Sequence, residues 1–207
     1  MVPGISAVVL AAGRSERMGR AKAALPWGRG TLLDGWIARF RQAGIGDIVV
    51  VTGEDGAVVR DALEGTAPPG LRWATNPDPA GSGLRESLLL GLDAGPTGSA
   101  AFFVPVDVPV VGEGVVTAML QRWTADVDAF AVVPECHGRT GHPVLASARM
   151  VARLYEGERG DRVDELLAWA NHRVLRATVD DDRILRDMDT PEDYLMALER
   201  GEEREWR

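Results

Sequence analysis

The sequence predicts an α/β fold with a mostly parallel central sheet. Apolar segments rich in β-branched residues alternate along the chain with segments whose apolar residues recur at helical spacing. This alternation is typical of strand–helix–strand units, in which helices cover a buried parallel sheet. A chain of 207 residues with 45% hydrophobic residues is long enough for a well-packed core. Because no linker or repeat interrupts it, we expect one domain spanning residues 1–207.

The N-terminal half gives the clearest elements. Residues 5–11 and 48–52 are apolar runs, predicted as buried strands. Residues 31–43 between them have helical spacing, with Thr31 as the N-cap and Gly44 beyond the end. The segments that follow are predicted as a helix at 57–63, a strand at 71–75, a helix at 84–92 and a strand at 101–106.

The C-terminal half continues the alternation with shorter segments. In chain order, the pattern predicts a helix at 115–123, strands at 129–133 and 144–146, a helix at 164–170 and a strand at 174–179. A closing helix at 191–200 begins with Pro191, a residue favoured at the first helical position. Ligands of such folds bind at the carboxyl ends of the strands, so the functional residues should follow the strands directly.

The first strand leads into a basic, glycine-punctuated loop, in the stretch ISAVVLAAGRSERMGRAK. Lys22 at its end is the single lysine among 23 basic residues. Gly13 permits close approach of a ligand to backbone N–H groups, and Arg14 and Lys22 add positive charge. The loop is neither a Walker A motif, because Gly19 is followed by Arg-Ala, nor a Gly-x-Gly-x-x-Gly fingerprint. It predicts a polyphosphate cradle, and an ordinary surface loop is the alternative.

Three carboxylates follow later strands. Asp107 lies in the apolar run FFVPVDVPVV, where a carboxylate is costly unless it is paired or binds a metal. We expect it to hold Mg²⁺, which prefers oxygen ligands and substrate phosphates, although a turn aspartate is the alternative. In RDMDTPEDY, Asp187 and Asp189 point to the same side if the segment is extended. Asp189 is equally suited to capping the last helix, whereas for Asp187 a ligand role is favoured.

Four polar or glycine positions are further candidates. Asn76 offers an amide for a base edge or a ribose hydroxyl, and Gly83 and Ser87 lie where a helix N-terminus could receive an anion. For these three residues turn chemistry is an equal alternative. His142, in Gly-His-Pro, is expected near an acceptor substrate, and no other histidine has zinc-ligand spacing with it.

Composition narrows the function classes. The formal net charge of −8 argues against binding to nucleic acid or to anionic membranes. The single cysteine, Cys136, cannot form an intrachain disulfide. Neither a charged-then-apolar leader nor an apolar stretch long enough for a bilayer is visible. The sequence therefore predicts a soluble cytoplasmic protein.

The motifs together resemble those of the MobA-like nucleotidyltransferases. LAAGRSERMGRAK looks like the superfamily signature. NPDPAGSGLRESL, VDVP, GHPVL, GERGDRVDELL and DMDTPEDY are similar to the molybdenum cofactor cytidylyltransferase branch, and the resemblance covers residues 5–194. It implies a three-layer, Rossmann-like (GT-A-like) domain that transfers a nucleotide from an NTP to a phosphorylated acceptor. It also implies molybdopterin as the acceptor and a molybdoenzyme or its chaperone as a protein partner.

The resemblance also assigns roles to residues by position. The nucleotide would be contacted by Ala11, Ala12, Gly13, Arg14 and Lys22, with Asn76, Gly83 and Ser87 as further contacts. Catalysis would fall to Lys22, Arg14 and Asp107, the metal to Asp107, Asp187 and Asp189, and the acceptor to His142 and Asp189. The double alanine at positions 11 and 12 resembles the cytidylyl branch and favours CTP, because the guanylyl branch typically has glycine at the second position. Val108 departs from the glutamine common in that branch, which leaves another phosphorylated acceptor open.

The expected reaction is in-line attack of an acceptor phosphate on the α-phosphorus of the NTP, with release of pyrophosphate. Positioning and charge neutralisation by the protein would supply most of the catalysis. Two other classes stay open. One is a carrier that binds a nucleotide or pterin without turnover. The other is an NAD(P)H-dependent oxidoreductase, against which the missing Gly-x-Gly-x-x-Gly argues.

Overall fold

A computed structural model of the chain describes residues 4–13, 15, 17–63, 68, 70–96, 98–126 and 128–205. The strands are β1 (Ile5–Ala11), β2 (Pro26–Trp27), β3 (Gly30–Thr31), β4 (Ile48–Thr52), β5 (Leu71–Thr75), β6 (Ala100–Pro105), β7 (Ala131–Cys136), β8 (Arg139–Thr140), β9 (Val144–Ser147) and β10 (Val174–Thr178). The α-helices are α1 (Leu32–Gln42), α2 (Gly56–Ala62), α3 (Leu84–Ala94), α4 (Glu113–Thr124), α5 (Ala148–Glu156), α6 (Val163–Trp169) and α7 (Pro191–Glu199). Short 3₁₀ turns lie at Lys22–Ala24, Asn171–Arg173, Asp182–Leu185 and Glu202–Glu205.

An eight-stranded sheet forms the centre of the molecule, in the order β10-β7-β9-β6-β1-β4-β5, with β8 paired to β7. The pairs β1–β4, β1–β6, β4–β5 and β7–β10 are parallel. Strand β9 is antiparallel to both of its neighbours, β6 and β7. The prediction of an α/β fold with a mostly parallel sheet is therefore confirmed.

Helices cover both faces of this sheet because the central strands are apolar on both sides. All seven residues of β1 are buried. Ala7 and Val9 belong to one core cluster, which also contains residues of α1, α4 and α7. Val8 and Leu10 belong to the other, with residues of α3, α5 and α6. Side chains alternate across a strand, so each face of β1 contributes to a different core and the result is a three-layer sandwich.

Caps define the two helices that border the functional edge. Thr31 caps α1, as expected, through a capping box with Asp34. Thr190 caps α7, again with a partner three residues on, Asp193. The capping alternative for Asp189 is thus wrong, because the neighbouring threonine fills that position.

Several elements were not predicted. Helix α5 was missed because its buried stripe is narrow: it buries only Met150 and Leu154, among arginines and exposed residues. The short strands β2, β3 and β8 are two residues each, too short for a periodic pattern. Strand β7 begins at Ala131 and ends at Cys136, later than the predicted 129–133. Among the described residues, no helix is both long and apolar enough to cross a membrane.

Candidate active site

A cleft of about 680 Å³ opens at the carboxyl edge of the sheet, where β1 and β6 end. It is lined by the ends of these strands, the basic loop, the segment before α3 and the segment before α7. The candidates among its lining residues are Ala11, Ala12, Gly13, Lys22, Gly83, Ser87, Asp107 and Asp189. The predicted phosphate loop and the predicted carboxylates thus face one another across a single cleft.

Lys22 is held at the end of the basic loop by a compact turn. The backbone N–H groups of Met18 and Gly19 both donate to the carbonyl of Ser15, at 2.9 and 3.1 Å. Gly19 has a φ of +66°, a conformation that glycine adopts at little cost. The Ser15 hydroxyl accepts from the Lys22 N–H at 3.1 Å. The loop therefore folds back on itself and presents the lysine toward the strand ends.

The Lys22 ammonium lies between two carboxylates from distant parts of the chain. Its Nζ donates to Oδ2 of Asp107 at 2.8 Å and to Oδ1 of Asp189 at 2.6 Å. Arg17 donates to the other oxygen of Asp189, also at 2.8 Å. The Lys22 side chain is only 12% exposed. An ammonium has three donors, so two are used here and one is left for a ligand oxygen.

Main-chain hydrogen bonds bring the two acidic segments together. The N–H of Val106 donates to the carbonyl of Leu10 at 3.0 Å, which extends the β1–β6 pairing to the residue before Asp107. The N–H of Met188 donates to the carbonyl of Asp107 at 2.8 Å. Met188 is buried, so its neighbours in sequence are fixed beside Asp107.

Burial, hydrogen bonds and neighbouring charges at this centre shift the pKa values of Lys22, Asp187 and Asp189. Burial alone would lower the pKa of Lys22, but the hydrogen bonds and charges of Asp107 and Asp189 outweigh it and raise that pKa. The hydrogen bond from Lys22 holds the pKa of Asp189 below its ordinary value. Partial desolvation, followed by the charges of Asp107 and Asp189, raises the pKa of Asp187. Negative charge is therefore concentrated at this point.

The donor set fits a hard divalent cation. Asp107, Asp187 and Asp189 offer only carboxylate oxygens, the ligands that Mg²⁺ and Mn²⁺ prefer. Within the part of the chain that the structure describes, their oxygens do not all come within 4.8 Å of one another. Lys22 lies between Asp107 and Asp189 instead, so a cation shared by the three residues requires the lysine to move from this position.

A second cleft of about 670 Å³ adjoins the first, and both are lined by Gly83 and Leu84. His142 and Asp187 line this second cleft and not the first. Burial lowers the pKa of His142 to about 4, against the opposing charge of Asp107, so its ring is neutral at pH 7. The buried Nδ1 of His142 has no hydrogen-bond partner among the described residues. The predicted acceptor residue therefore lines this cleft with a neutral ring, while its unpartnered Nδ1 is buried.

Asn76 and the segment before α3 are committed largely to the protein itself. The Asn76 amide donates to the hydroxyls of Ser82 and Ser87 at 2.8 and 2.9 Å, and its oxygen accepts from the Asp78 N–H at 2.9 Å. The residue is 3% exposed and is not among those that line the first cleft. The turn alternative describes Asn76 in this structure, and its contact with a nucleotide stays a prediction.

Glu86 occupies the N-terminus that was expected to receive an anion. Its carboxylate accepts from the Gly83 N–H at 2.8 Å and from the Gly160 N–H at 3.0 Å. Gly83 and Ser87 line the first cleft nonetheless. Their contact with the nucleotide stays a prediction, and the Gly83 N–H is already used.

Arg14 lies outside the described residues. The sequence did not single out the individual role of Arg17, which pairs with Asp189, because its partner is 172 residues away. The lining of the second cleft by Arg139 and Arg162 was also missed. Arg139 lies two residues before the GHPVL motif, and Arg162 lies within the GERGDRVDELL motif, so both were close to segments that the resemblance had marked.

The fold and the site together define a nucleotide-binding transferase domain of the Rossmann-like class. A basic loop follows the first strand, and a strand-end carboxylate faces it across an open cleft. The chain belongs to the MobA-like NTP transferase domain family, whose model matches residues 7–177.

Individual relatives agree with this membership. The molybdenum cofactor cytidylyltransferase of Escherichia coli K12 is 29% identical over 196 residues, which cover 95% of this chain and 96% of that protein. The crystal structure of Rv0371c from Mycobacterium tuberculosis H37Rv aligns with a TM-score of 0.80 at 26% identity, over 95% of this chain and 98% of that one. The same mycobacterial protein in complex with manganese aligns with a TM-score of 0.74, at the same identity and coverage.

Proposed function

We propose that this nucleotidyltransferase moves CMP from CTP to the phosphate of molybdopterin cofactor and releases pyrophosphate, in the cytoplasm. The relative from Escherichia coli carries the name of that activity. The double alanine at Ala11 and Ala12 supports CTP, because it resembles the cytidylyl branch. A molybdoenzyme or its chaperone would receive the product.

The observation that carries the proposal is the convergence of Lys22, Asp107 and Asp189 in front of the glycine loop. In the proposed reaction, an oxygen of the acceptor phosphate attacks the α-phosphorus of CTP. The bond from that phosphorus to the bridging oxygen breaks, and pyrophosphate leaves. Positioning and charge neutralisation carry such a transfer, and Lys22 with the loop N–H groups would supply both.

Asp107, with Asp187 and Asp189, would hold the divalent cation, which we propose to be Mg²⁺. When bound, such a cation neutralises phosphate charge. The manganese complex of the mycobacterial relative makes Mn²⁺ a second cation to test. Lys22 then turns from its carboxylates toward the triphosphate, since its own pairing partners are the proposed ligands.

The acceptor is assigned to the second cleft, because this cleft shares Gly83 and Leu84 with the first. A ligand in each cleft can therefore meet at the boundary, where in-line geometry requires nucleophile and phosphorus to be adjacent. Because the His142 ring is neutral, it can hydrogen-bond an uncharged polar group of an acceptor in the second cleft and adds no charge beside the acceptor phosphate. The guanidinium group of Arg139 suits an anionic acceptor. The guanidinium group of Arg162 also lines this cleft, but it is paired with the Asp164 carboxylate at 2.7 Å.

Melting temperatures with CTP, GTP, ATP, UTP, NADH and NADPH, each with and without Mg²⁺, test the proposal. A ligand at about a hundred times its dissociation constant adds roughly 2.7 kcal/mol of stability, which shifts the melting temperature measurably. We expect the largest Mg²⁺-dependent shift with CTP, and its loss in Asp107→Asn. A shift with another NTP would retain the reaction and change the base. A shift with a nicotinamide cofactor alone would overturn the proposal.

A further inference from the structure

A second cluster of potential ligands lies away from the active site. Cys136, His137 and Asp180 place one ligand atom each within 4.8 Å of one another. Cys136 ends β7, His137 follows it and Asp180 follows β10, whereas Lys22 and Asp107 follow β1 and β6. Strand β9 separates β7 from β6 in the sheet. The cluster is therefore distinct from the carboxylates of the candidate active site.

Strand pairing and a tight turn build this cluster. Strands β7 and β10 are parallel, with Thr178 level with Glu135, and the Val179 N–H extends the ladder by donating to the Glu135 carbonyl at 2.9 Å. Asp180 is consequently brought level with the residue after Cys136. Strand β7 turns into β8 through His137 and Gly138, which have φ values of +51° and +76°. Positive φ values at both central residues are typical of a type I′ hairpin turn.

The turn explains the backbone of His137 but not its imidazole. Asparagine, aspartate or glycine is the usual choice where both central residues have positive φ. In the described part of the chain, no hydrogen bond or ion pair engages the His137 ring or the Asp180 carboxylate. Cys136 is buried, with 1% of its surface exposed, while the other two side chains are exposed. Among the described residues, the His137 ring and the Asp180 carboxylate are thus left without a hydrogen-bonding role.

We propose that Cys136, His137 and Asp180 bind one Zn²⁺ ion. Thiolate and imidazole are zinc ligands, and a hard cation such as Mg²⁺ would take oxygen ligands only. Three protein ligands leave a fourth tetrahedral position for water. The exposed histidine and aspartate let the ion enter from solvent, and the buried sulfur anchors it.

Such an ion would tie the acceptor side of the protein to the acidic segment. His137 begins the hairpin that continues through Arg139 and on to His142. Asp180 begins the connection that leads to Asp187, and the next residue, Asp181, accepts from the Gly112 N–H at 2.7 Å. The ion would therefore cross-link these two segments at their origin.

Cobalt titration tests this site sharply because the chain has one cysteine. The probe is Co²⁺, added to the untagged full-length protein after chelator treatment and in a thiol-free reductant. A thiolate-to-cobalt charge-transfer band can then come only from Cys136. We expect this band at one equivalent, its loss when Zn²⁺ displaces Co²⁺, and its absence in Cys136→Ser.

Two variants at exposed positions decide the result even if Cys136→Ser does not fold. His137→Asn removes the imidazole and keeps a residue type that tolerates the positive φ of the turn. Asp180→Asn removes the negative charge and keeps the size of the side chain. Even outer partners of metal ligands contribute about 10- to 100-fold in affinity, so each variant should weaken Co²⁺ binding by roughly tenfold or more. His172→Asn, at an exposed histidine outside the cluster, and Asp107→Asn should leave the band unchanged. A folded wild type without the band, or unchanged affinity in both His137→Asn and Asp180→Asn, would overturn the proposal.

Discussion

Gly13→Ala isolates the role of the loop backbone from the stability of the fold. A Cβ at Gly13 would meet no atom of the described residues within 4 Å, and its φ is not in the left-handed region. The substitution should therefore leave the free energy of unfolding unchanged or raise it by about 0.5 kcal/mol, through a less flexible unfolded chain. Gly13 lines the first cleft, so the added methyl group would project where a phosphate must approach the N–H groups.

The expected loss of nucleotide affinity follows from one hydrogen bond to a charged group. Such a bond contributes about 1.5–3 kcal/mol, which corresponds to roughly a 10- to 150-fold weaker dissociation constant for CTP with Mg²⁺. Isothermal titration calorimetry measures this directly. Gly114→Ala is the matched control, because its Cβ also meets nothing within 4 Å but lies in α4, outside the cleft. Equal CTP affinity in Gly13→Ala and Gly114→Ala would refute the backbone cradle.

Three further predictions concern the residues around this loop. Lys22→Ala should lower the rate of pyrophosphate release by about 10²-fold or more, since it removes a preorganised donor to the phosphates; a rate within a factor of three of the wild type would contradict this role. Thr190→Ala should lower the free energy of unfolding in urea by about 1 kcal/mol and leave turnover intact, because Thr190 caps α7. Asp189→Ala should instead abolish turnover at little cost in stability. The opposite pattern would restore the capping role of Asp189. Because the pKa of His142 is lowered in the folded protein, the unfolded chain binds a proton first as the pH falls. The free energy of unfolding of the wild type, measured in urea at each pH, should therefore fall by roughly 2–3 kcal/mol more than that of His142→Gln between pH 6.5 and pH 4. Parallel curves for the two proteins would contradict a buried neutral ring.

The central strands and the strand-end rule were predictable from the sequence. The apolar runs of β1, β4 and β6 are buried on both faces, and continuous apolar runs of this length are typical of strands in the middle of a parallel sheet. Because parallel strands end at one edge, Lys22 and Asp107 were expected to face each other, and they do. These predictions depend on local pattern together with sheet geometry, both of which the sequence displays.

The remaining features depend on contacts between distant segments. The antiparallel direction of β9 follows from its pairing with β6 and β7, and a four-residue apolar run carries no sign of direction. The pairing of Lys22 with Asp189 depends on the backbone hydrogen bond between Met188 and Asp107, which joins two segments that are distant in sequence. The capping alternative for Asp189 was open because aspartate is a favoured cap residue, and Thr190, whose residue type also serves as a cap, was not considered.

Release of pyrophosphate from CTP is the direct test of the proposed nucleotidyl transfer at Asp107 and Lys22. The wild-type protein would be incubated with CTP, molybdopterin and Mg²⁺ or Mn²⁺, with Asp107→Asn as the matched variant and GTP as the competing nucleotide. We expect pyrophosphate and a CMP-linked pterin product with CTP, much less product with GTP, and none from Asp107→Asn. Undiminished turnover in folded Asp107→Asn would contradict the assigned site. Binding of CTP and pterin by the wild type with no pyrophosphate from any NTP would indicate a carrier instead of a transferase.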